Sequence, residues 1–307
     1  MRTPTERRMQ ANTSAPRLYV RQLWCTPLAC SVMWTVAATL LGCVQAQDTI
    51  HRTFQGAKSI EVDNVYGSIH VTGYSGSTLE IEARRTVTAD STERADAANR
   101  EVKLDLTQSG ESVRAYVDGP FRCHCDDEGS RRSRNNMHEH GRRGYKVAYE
   151  FEIKAPRGTA MYLSTINDGQ IRVENTSGDF DVDNINGGVE MKDIEGSGRA
   201  YALNGSTSVS FVKNPEKSSY FGSLNGAVDV SFQPNLAADV RVKTFNGGIY
   251  TDFPVSYLPV SAADVEHRDG KFVYRSNGFQ GIRIGKGGPE LKFENFNGDI
   301  RIRNRGQ

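Results

Sequence analysis

Apolar and polar residues alternate along most of this chain, the period of a strand with one buried face. The segments Ile60-Glu-Val-Asp, Gly67-Ser-Ile-His-Val-Thr-Gly, Thr78-Leu-Glu-Ile-Glu-Ala, Val102-Lys-Leu-Asp-Leu-Thr and Ser112-Val-Arg-Ala-Tyr-Val all follow it between Thr49 and Asp118. One stretch departs from it: residues 89–100 are rich in alanine after an acidic start and read as one short helix. Alternation stops over residues 118–144 and resumes at Tyr145-Lys-Val-Ala-Tyr-Glu-Phe-Glu-Ile-Lys-Ala-Pro156, a long strand ended by Pro156-Arg-Gly158.

Beyond that point a short unit recurs: an apolar residue, Asn, Gly, a spacer, then a strand. Its copies carry Asn167 and Gly169, Asn186 and Gly187, Asn204 and Gly205, Asn225 and Gly226, Asn246 and Gly247, and Asn297 and Gly298. The glycines are spaced by 18, 18, 21 and 21 residues and then by 51, and a weaker copy stands at Val65-Tyr-Gly-Ser-Ile-His-Val71. Repeats of about 20 residues mark stacked architectures in which each unit covers the next one's apolar edge. Asn tolerates the left-handed conformation and glycine favours it, so Asn-Gly is expected to bend the chain sharply into a new strand. Secondary turns such as Thr176-Ser-Gly178 divide each repeat into two strands, hence two sheets. Inward candidates are Ile171, Val173, Phe180, Val182, Val189, Met191, Val209, Phe211, Val228, Val230, Phe232, Ile249, Ile300 and Ile302.

The expected fold class is therefore all-β, a β-solenoid or two-sheet β-strand repeat, with an antiparallel β-sandwich as the alternative because Asn-Gly is also a strong hairpin signal. The two differ in one respect. In a solenoid the repeat asparagines line up as a hydrogen-bonded ladder; in a sandwich they scatter over hairpin tips.

Residues 1–46 bear five arginines against one glutamate and then an uncharged run centred on Ser31-Val-Met-Trp-Thr-Val-Ala-Ala-Thr-Leu-Leu41. This pattern reads as a signal peptide, ending either after Ala46 or, as a lipoprotein signal, before a lipidated Cys43 in Leu40-Leu-Gly-Cys43. An uncleaved anchor helix is a third reading, and all three place the remainder outside the cytoplasm, in the periplasm, on the outer membrane or at the cell surface. Membrane attachment is expected through the N-terminus alone. The leader accounts for +4 of the net +1, so the remainder carries −3 and lacks the basic field that would gather nucleic acid. Thirty glycines without a Gly-X-Y period suit a turn-rich fold and exclude collagen. The implied organisation is a signal peptide over 1–46, a β-strand region over 47–117, a polar insert over 118–144, and a β-repeat region over 145–307 continuous with 47–117.

These repeat units resemble the bacterial putative-adhesin family of β-strand-repeat proteins, recognised by Asn-Gly-x-Ile/Val strands behind a signal peptide. The resemblance spans most of residues 50–307 and is densest over 162–253 and 291–302. It implies a β-helical or two-sheet fold outside the cytoplasm and an adhesive or scaffolding role. The insert lies outside the repeat pattern, so nothing is carried over to it.

Candidate chemistry is sparse. Cys123 and Cys125 followed by His138 and His140 supply two thiols and two imidazoles, the donor set tetrahedral zinc prefers, and copper is also compatible. Against this, Cys-x-Cys is tighter than the usual spacing, and a solvated loop with or without a local disulfide accounts for the same residues. Asp179, Asp181, Asp183 and Glu190 imitate calcium-loop positions, but Asn184 stands where the loop needs glycine, so they read as an exposed strand face. No hydrolase, zinc-protease or phosphate-loop motif is present. The expected function is a non-enzymatic, exported adhesin or scaffold that binds a surface protein or polysaccharide through an extended sheet. The alternatives are a metal-binding envelope module using the insert and a polysaccharide-active β-helical enzyme.

Overall fold

A computed structural model of the protein describes residues 44–122, 144–259, 264–268, 271–275 and 278–306. In chain order the elements are β1 (Val44–Gln55), β2 (Ser59–Asp63), β3 (Ile69–Tyr74), β4 (Thr78–Ala89), α1 (Thr92–Glu101), β5 (Lys103–Ser109), β6 (Ser112–Asp118), β7 (Tyr145–Pro156), β8 (Ala160–Thr165), β9 (Ile171–Glu174), β10 (Phe180–Asn184) and β11 (Val189–Ile194). There follow β12 (Gly198–Ala202), β13 (Thr207–Phe211), β14 (Ser219–Asn225), β15 (Val228–Phe232), β16 (Ala238–Asn246), β17 (Ile249–Thr251), β18 (Val255–Tyr257), β19 (Asp264–Arg268), β20 (Lys271–Arg275), β21 (Gln280–Ile284), β22 (Glu290–Asn297) and β23 (Ile300–Asn304). The helix falls where alanine displaces the alternating pattern. Ser91 caps it by accepting a hydrogen bond from the Arg94 amide at 3.3 Å, and Ala95 and Ala98 are its buried contacts.

Two sheets contain nearly all the strands. Sheet A has ten, in the order β1-β4-β7-β3-β9-β11-β13-β15-β23-β17; sheet B has eleven, in the order β18-β21-β16-β22-β14-β12-β10-β8-β2-β6-β5. Each repeat lays one strand in sheet B, turns at its Asn-Gly, lays the next in sheet A and returns. Equivalent strands of successive repeats then pair parallel and in register, as in Val189 with Ile171 or Val182 with Leu163. All neighbours from β7 to β17 in sheet A and from β6 to β16 in sheet B are parallel, whereas the sandwich alternative requires antiparallel pairs. Among the described residues of these two sheets, antiparallel strands occur only at the two ends: β1, β4 and β5 at one, β18 and β21 at the other.

The order of rungs is not the order of the chain. The last rung, β22–β23, lies between β14–β15 and β16–β17, and the first, β2–β3, lies between β6–β7 and β8–β9. The 51-residue step follows from this. After β17 the chain runs out through β18 and β19 and back through β20 and β21, in one antiparallel register that sets Val255 against Ile284 and Asp264 against Arg275, before β22 threads back into the stack.

The core sits between the sheets. Every inward candidate is buried except Ile249, which is half-buried on the terminal strand of sheet A. Phe211 and Phe232 of sheet A stack at 5.2 Å, and Phe221 and Phe293 of sheet B close the cluster across the gap. Each ring contributes about 1.5–3 kcal/mol through burial.

The turn glycines serve a purpose other than the expected one. Of the six, only Gly298 has a left-handed φ, at 139°. What they share is close approach: a Cβ on Gly187 would lie 2.0 Å from the Gly169 carbonyl oxygen, one on Gly205 2.4 Å from that of Gly187, and one on Gly226 2.3 Å from that of Gly205. Each turn presses on the backbone of the turn before it, and a side chain would hold them apart.

Candidate binding surfaces

The turn edge carries a continuous asparagine ladder. The Nδ2 of Asn186 donates to Oδ1 of Asn167 at 2.7 Å, and Asn204 to Asn186, Asn225 to Asn204 and Asn297 to Asn225 all follow at 2.8 Å. Asn246 donates to Asn297 at 2.9 Å, so the ladder repeats the spatial order of the rungs, with 297 ahead of 246. At the other end Tyr66, pairing with Asn167 by a parallel bridge, takes the ladder position of the weaker repeat.

Behind the ladder runs a second polar column two residues earlier in five of the six units, Ala202 standing there in the sixth, and all but Thr244 of its members are buried. Thr165 donates to the Gly67 carbonyl at 2.9 Å, Asn184 to Gly169 at 3.0 Å, Ser223 to Gly205 at 2.8 Å, Asn295 to Gly226 at 2.8 Å and Thr244 to Gly298 at 3.3 Å. Each side chain satisfies the turn carbonyl of the preceding rung, a group that burial would otherwise leave costly. Sequence reading did not pick out this column. Its signal was a polar residue recurring where strand alternation calls for an apolar one.

Interior and terminal ladder positions should differ. Asn204→Ala removes two side-chain bonds and is expected to cost about 1–2 kcal/mol, while Asn246→Ala removes one and costs less than about 1 kcal/mol. Urea denaturation of the two variants checks this difference.

The metal candidates Cys123, Cys125, His138 and His140 and the lipidation candidate Cys43 lie outside the described residues. The flanks of the insert are described. Arg122, buried, places Nη1 3.0 Å from Asp63 Oδ1 and donates from Nε to the Val117 carbonyl and from Nη2 to the Asp63 carbonyl. On the far side the Asp90 amide donates to the Gly144 carbonyl at 3.0 Å. The insert thus lies between β6 and β7, the strands that pair with β2 and β3 of the first rung. Among the described residues no three His, Cys, Asp or Glu side chains are grouped to hold a metal. The four carboxylates that imitate a calcium loop stand apart in ion pairs: Asp179 with Lys217, Asp181 and Asp183 with Arg199, and Glu190 with Arg172 and Lys192.

The outer sheet faces are mixed in charge. One register row of sheet A crosses all ten strands from His51 to Tyr250, and it contains His70 Nδ1 at 2.9 Å from Glu152 and Arg172 Nε at 3.0 Å from Glu190. Where it meets the turn edge, Ser68, Asp168, Gln170, Arg172 and Asn186 line an open depression of about 500 Å³. On sheet B the Arg199 guanidinium lies over the rings of Tyr201 and Tyr220 at 4.9 and 5.5 Å. Burial, with Glu294 alongside, pushes the Tyr220 hydroxyl up to about 12. Exposed aromatics gather toward the β17 end: Phe245 and Phe296 stack at 4.8 Å while 71% and 44% exposed, and Tyr257 is 84% exposed. Phe221, by contrast, belongs to the core, while Tyr250 is on the surface.

No family model matches the chain, and no curated protein matches it. Among solved structures it is similar to a putative cell adhesion protein from Clostridium sporogenes ATCC 15579, at 10% identity and a TM-score of 0.31, over 85% of this chain and 100% of that one. A putative adhesin from Bacteroides fragilis NCTC 9343 aligns at 10% identity and a TM-score of 0.32, over 84% and 97% of the two chains. A putative adhesin from Parabacteroides merdae ATCC 43184 aligns at 8% and 0.27, over 84% and 95%. At these scores the folds are not equated, and the adhesive names stay with those proteins.

Proposed function

We propose that the protein is a non-enzymatic, exported component of the cell envelope, an adhesin or scaffold that holds a surface protein or polysaccharide along an extended sheet face. The observation that carries this reading is the sheet A register row, which runs about 43 Å across ten strands. Its acidic, basic and hydroxyl groups repeat at strand spacing. Single exposed ion pairs contribute little, so such a face binds by multiplicity and fits a flat or repetitive partner better than a small substrate. Export rests on the leader read from the sequence. A polysaccharide-active enzyme would need a facing pair of carboxylates; the row sets Glu82 beside Glu152, but these lie against His51 and His70, and Glu190 and Asp229 against Arg172 and Arg303.

The test is solid-phase binding of the labelled chain to sacculi and to outer-membrane vesicles from the producing cell. Saturable binding that Arg172→Glu with Arg301→Glu abolishes, at unchanged circular dichroism, is expected. Binding indifferent to these changes, or release of sugar fragments from the sacculi, would contradict the reading.

A second reading uses the insert, with Cys123, Cys125, His138 and His140 binding zinc or copper. It draws on the fixed flanks at Arg122 and Gly144, which lower the entropic cost of closing the loop around an ion. Metal content that is unchanged in Cys123→Ser with Cys125→Ser would end it.

A further inference from the structure

Among the described residues, sheet A ends at β1, a 12-residue strand bonded to β4 on one side and to no described strand on the other. In register with β4, the residues Ala46, Asp48, Ile50, Arg52 and Phe54 face the same side as buried Val87, Ala83, Ile81 and Leu79. That side is only half covered: Ile50 and Phe54 pack partly on the core, and the other three are exposed. Long unpaired edges of this kind are usually blunted or used.

The strand is complementary to itself about Ile50. Two residues to either side stand Asp48 and Arg52, opposite in charge. In an antiparallel pair with a second copy about a two-fold axis at Ile50, Asp48 meets Arg52 of the partner subunit and the reverse, and the two Ile50 side chains meet each other, all of them residues that remain after either cleavage of the leader. Moving the register by two residues sets both charges against apolar groups. Moving it by four sets Asp48 against Asp48 of the partner subunit, or Arg52 against Arg52 of the partner subunit, so a single register is favoured. Within one chain these charges are loosely held: Asp48 is 3.8 Å from Arg85, and Arg52 donates to the neighbouring His51 carbonyl.

We propose that two copies of this chain join through β1, antiparallel about Ile50, merging their ten-stranded sheets into one. The pairing is independent of what the outer faces bind, and it would double the length of the sheet A row. The competing role for an inward-pointing Arg52 is that of a guard against edge-to-edge association.

Sedimentation velocity of the chain purified after export separates the two. A concentration-dependent dimer is expected. Asp48→Arg and Arg52→Asp should each weaken association by about tenfold or more through like-charge contact, and the two together should restore it. Ile50→Cys should cross-link to its own symmetry mate and Phe54→Cys should not. Circular dichroism confirms that each variant folds. A chain that is monomeric at every concentration, an Arg52→Asp variant that associates more tightly, or a folded double variant that stays monomeric would overturn the proposal.

Discussion

Gly205→Ala is expected to destabilise the protein by about 3 kcal/mol although it adds a single methyl group at a surface turn. The added Cβ would sit 2.4 Å from the Gly187 carbonyl oxygen and 2.5 Å from its carbon, both backbone atoms of the preceding rung. Neither can rotate away, so the two turns must separate. Separation stretches the Asn204 to Asn186 ladder bond and the contact between Ser223 and the Gly205 carbonyl. Gly158 supplies the control, since a Cβ there meets nothing within 4 Å. Gly158→Ala should be neutral or stabilising by up to about 1 kcal/mol. Urea denaturation of both variants decides the point, and a loss below about 1 kcal/mol for Gly205→Ala would mean that the stacked turns do not exclude a side chain.

Arg122→Met should cost about 3–5 kcal/mol, because it leaves the Asp63 carboxylate buried without its counter-charge. Both side chains are close to fully enclosed, at 3% and 12% exposed. Burial raises the Asp63 carboxyl above its ordinary value of 3.8, and Arg122 opposes that rise. A carboxyl raised by folding contributes fully at pH values below 3.8, and the contribution fades as pH climbs through the raised value. Without Arg122 the rise is larger, so the loss in Arg122→Met should be greater at pH 7 than at pH 4. Arg122→Met combined with Asp63→Leu should cost less than Arg122→Met alone. Denaturation at the two pH values measures both effects; a loss independent of pH would show that Asp63 does not sense the guanidinium.

Much of the architecture could be read from the residues because its causes are local. Period-two alternation sets the strands, alanine sets α1, and the recurring Asn-Gly unit sets the two-sheet repeat with its ladder. What could not be read depends on which rung touches which. Phe296-Asn-Gly and Phe245-Asn-Gly are equivalent as sequence, and nothing local places the later one inside the earlier. The glycines were assigned to left-handed turns because that is their commonest cause in a chain considered alone; the carbonyl that excludes a side chain belongs to another repeat. The Thr165, Asn184, Ser223 and Asn295 column is legible as polar residues at positions where alternation calls for apolar ones, but it varies in residue type where the neighbouring asparagines do not. At the N-terminal boundary β1 begins at Val44, and Val44, Gln45 and Ala46 pair with Ala89, Thr88 and Val87.

The stacking order itself is open to one direct measurement, disulfide formation between cysteines on the outer face of sheet A. Asp229 and Arg301 are register neighbours on β15 and β23, as are Arg301 and Tyr250 on β23 and β17. Asp229 and Tyr250 are separated by the whole of β23, about 9.5 Å. Paired cysteines at 229 and 301, and at 301 and 250, should therefore cross-link within the folded chain, and a pair at 229 and 250 should not. Ready cross-linking between 229 and 250, with none between 229 and 301, would place the rungs in chain order and contradict the threaded stack.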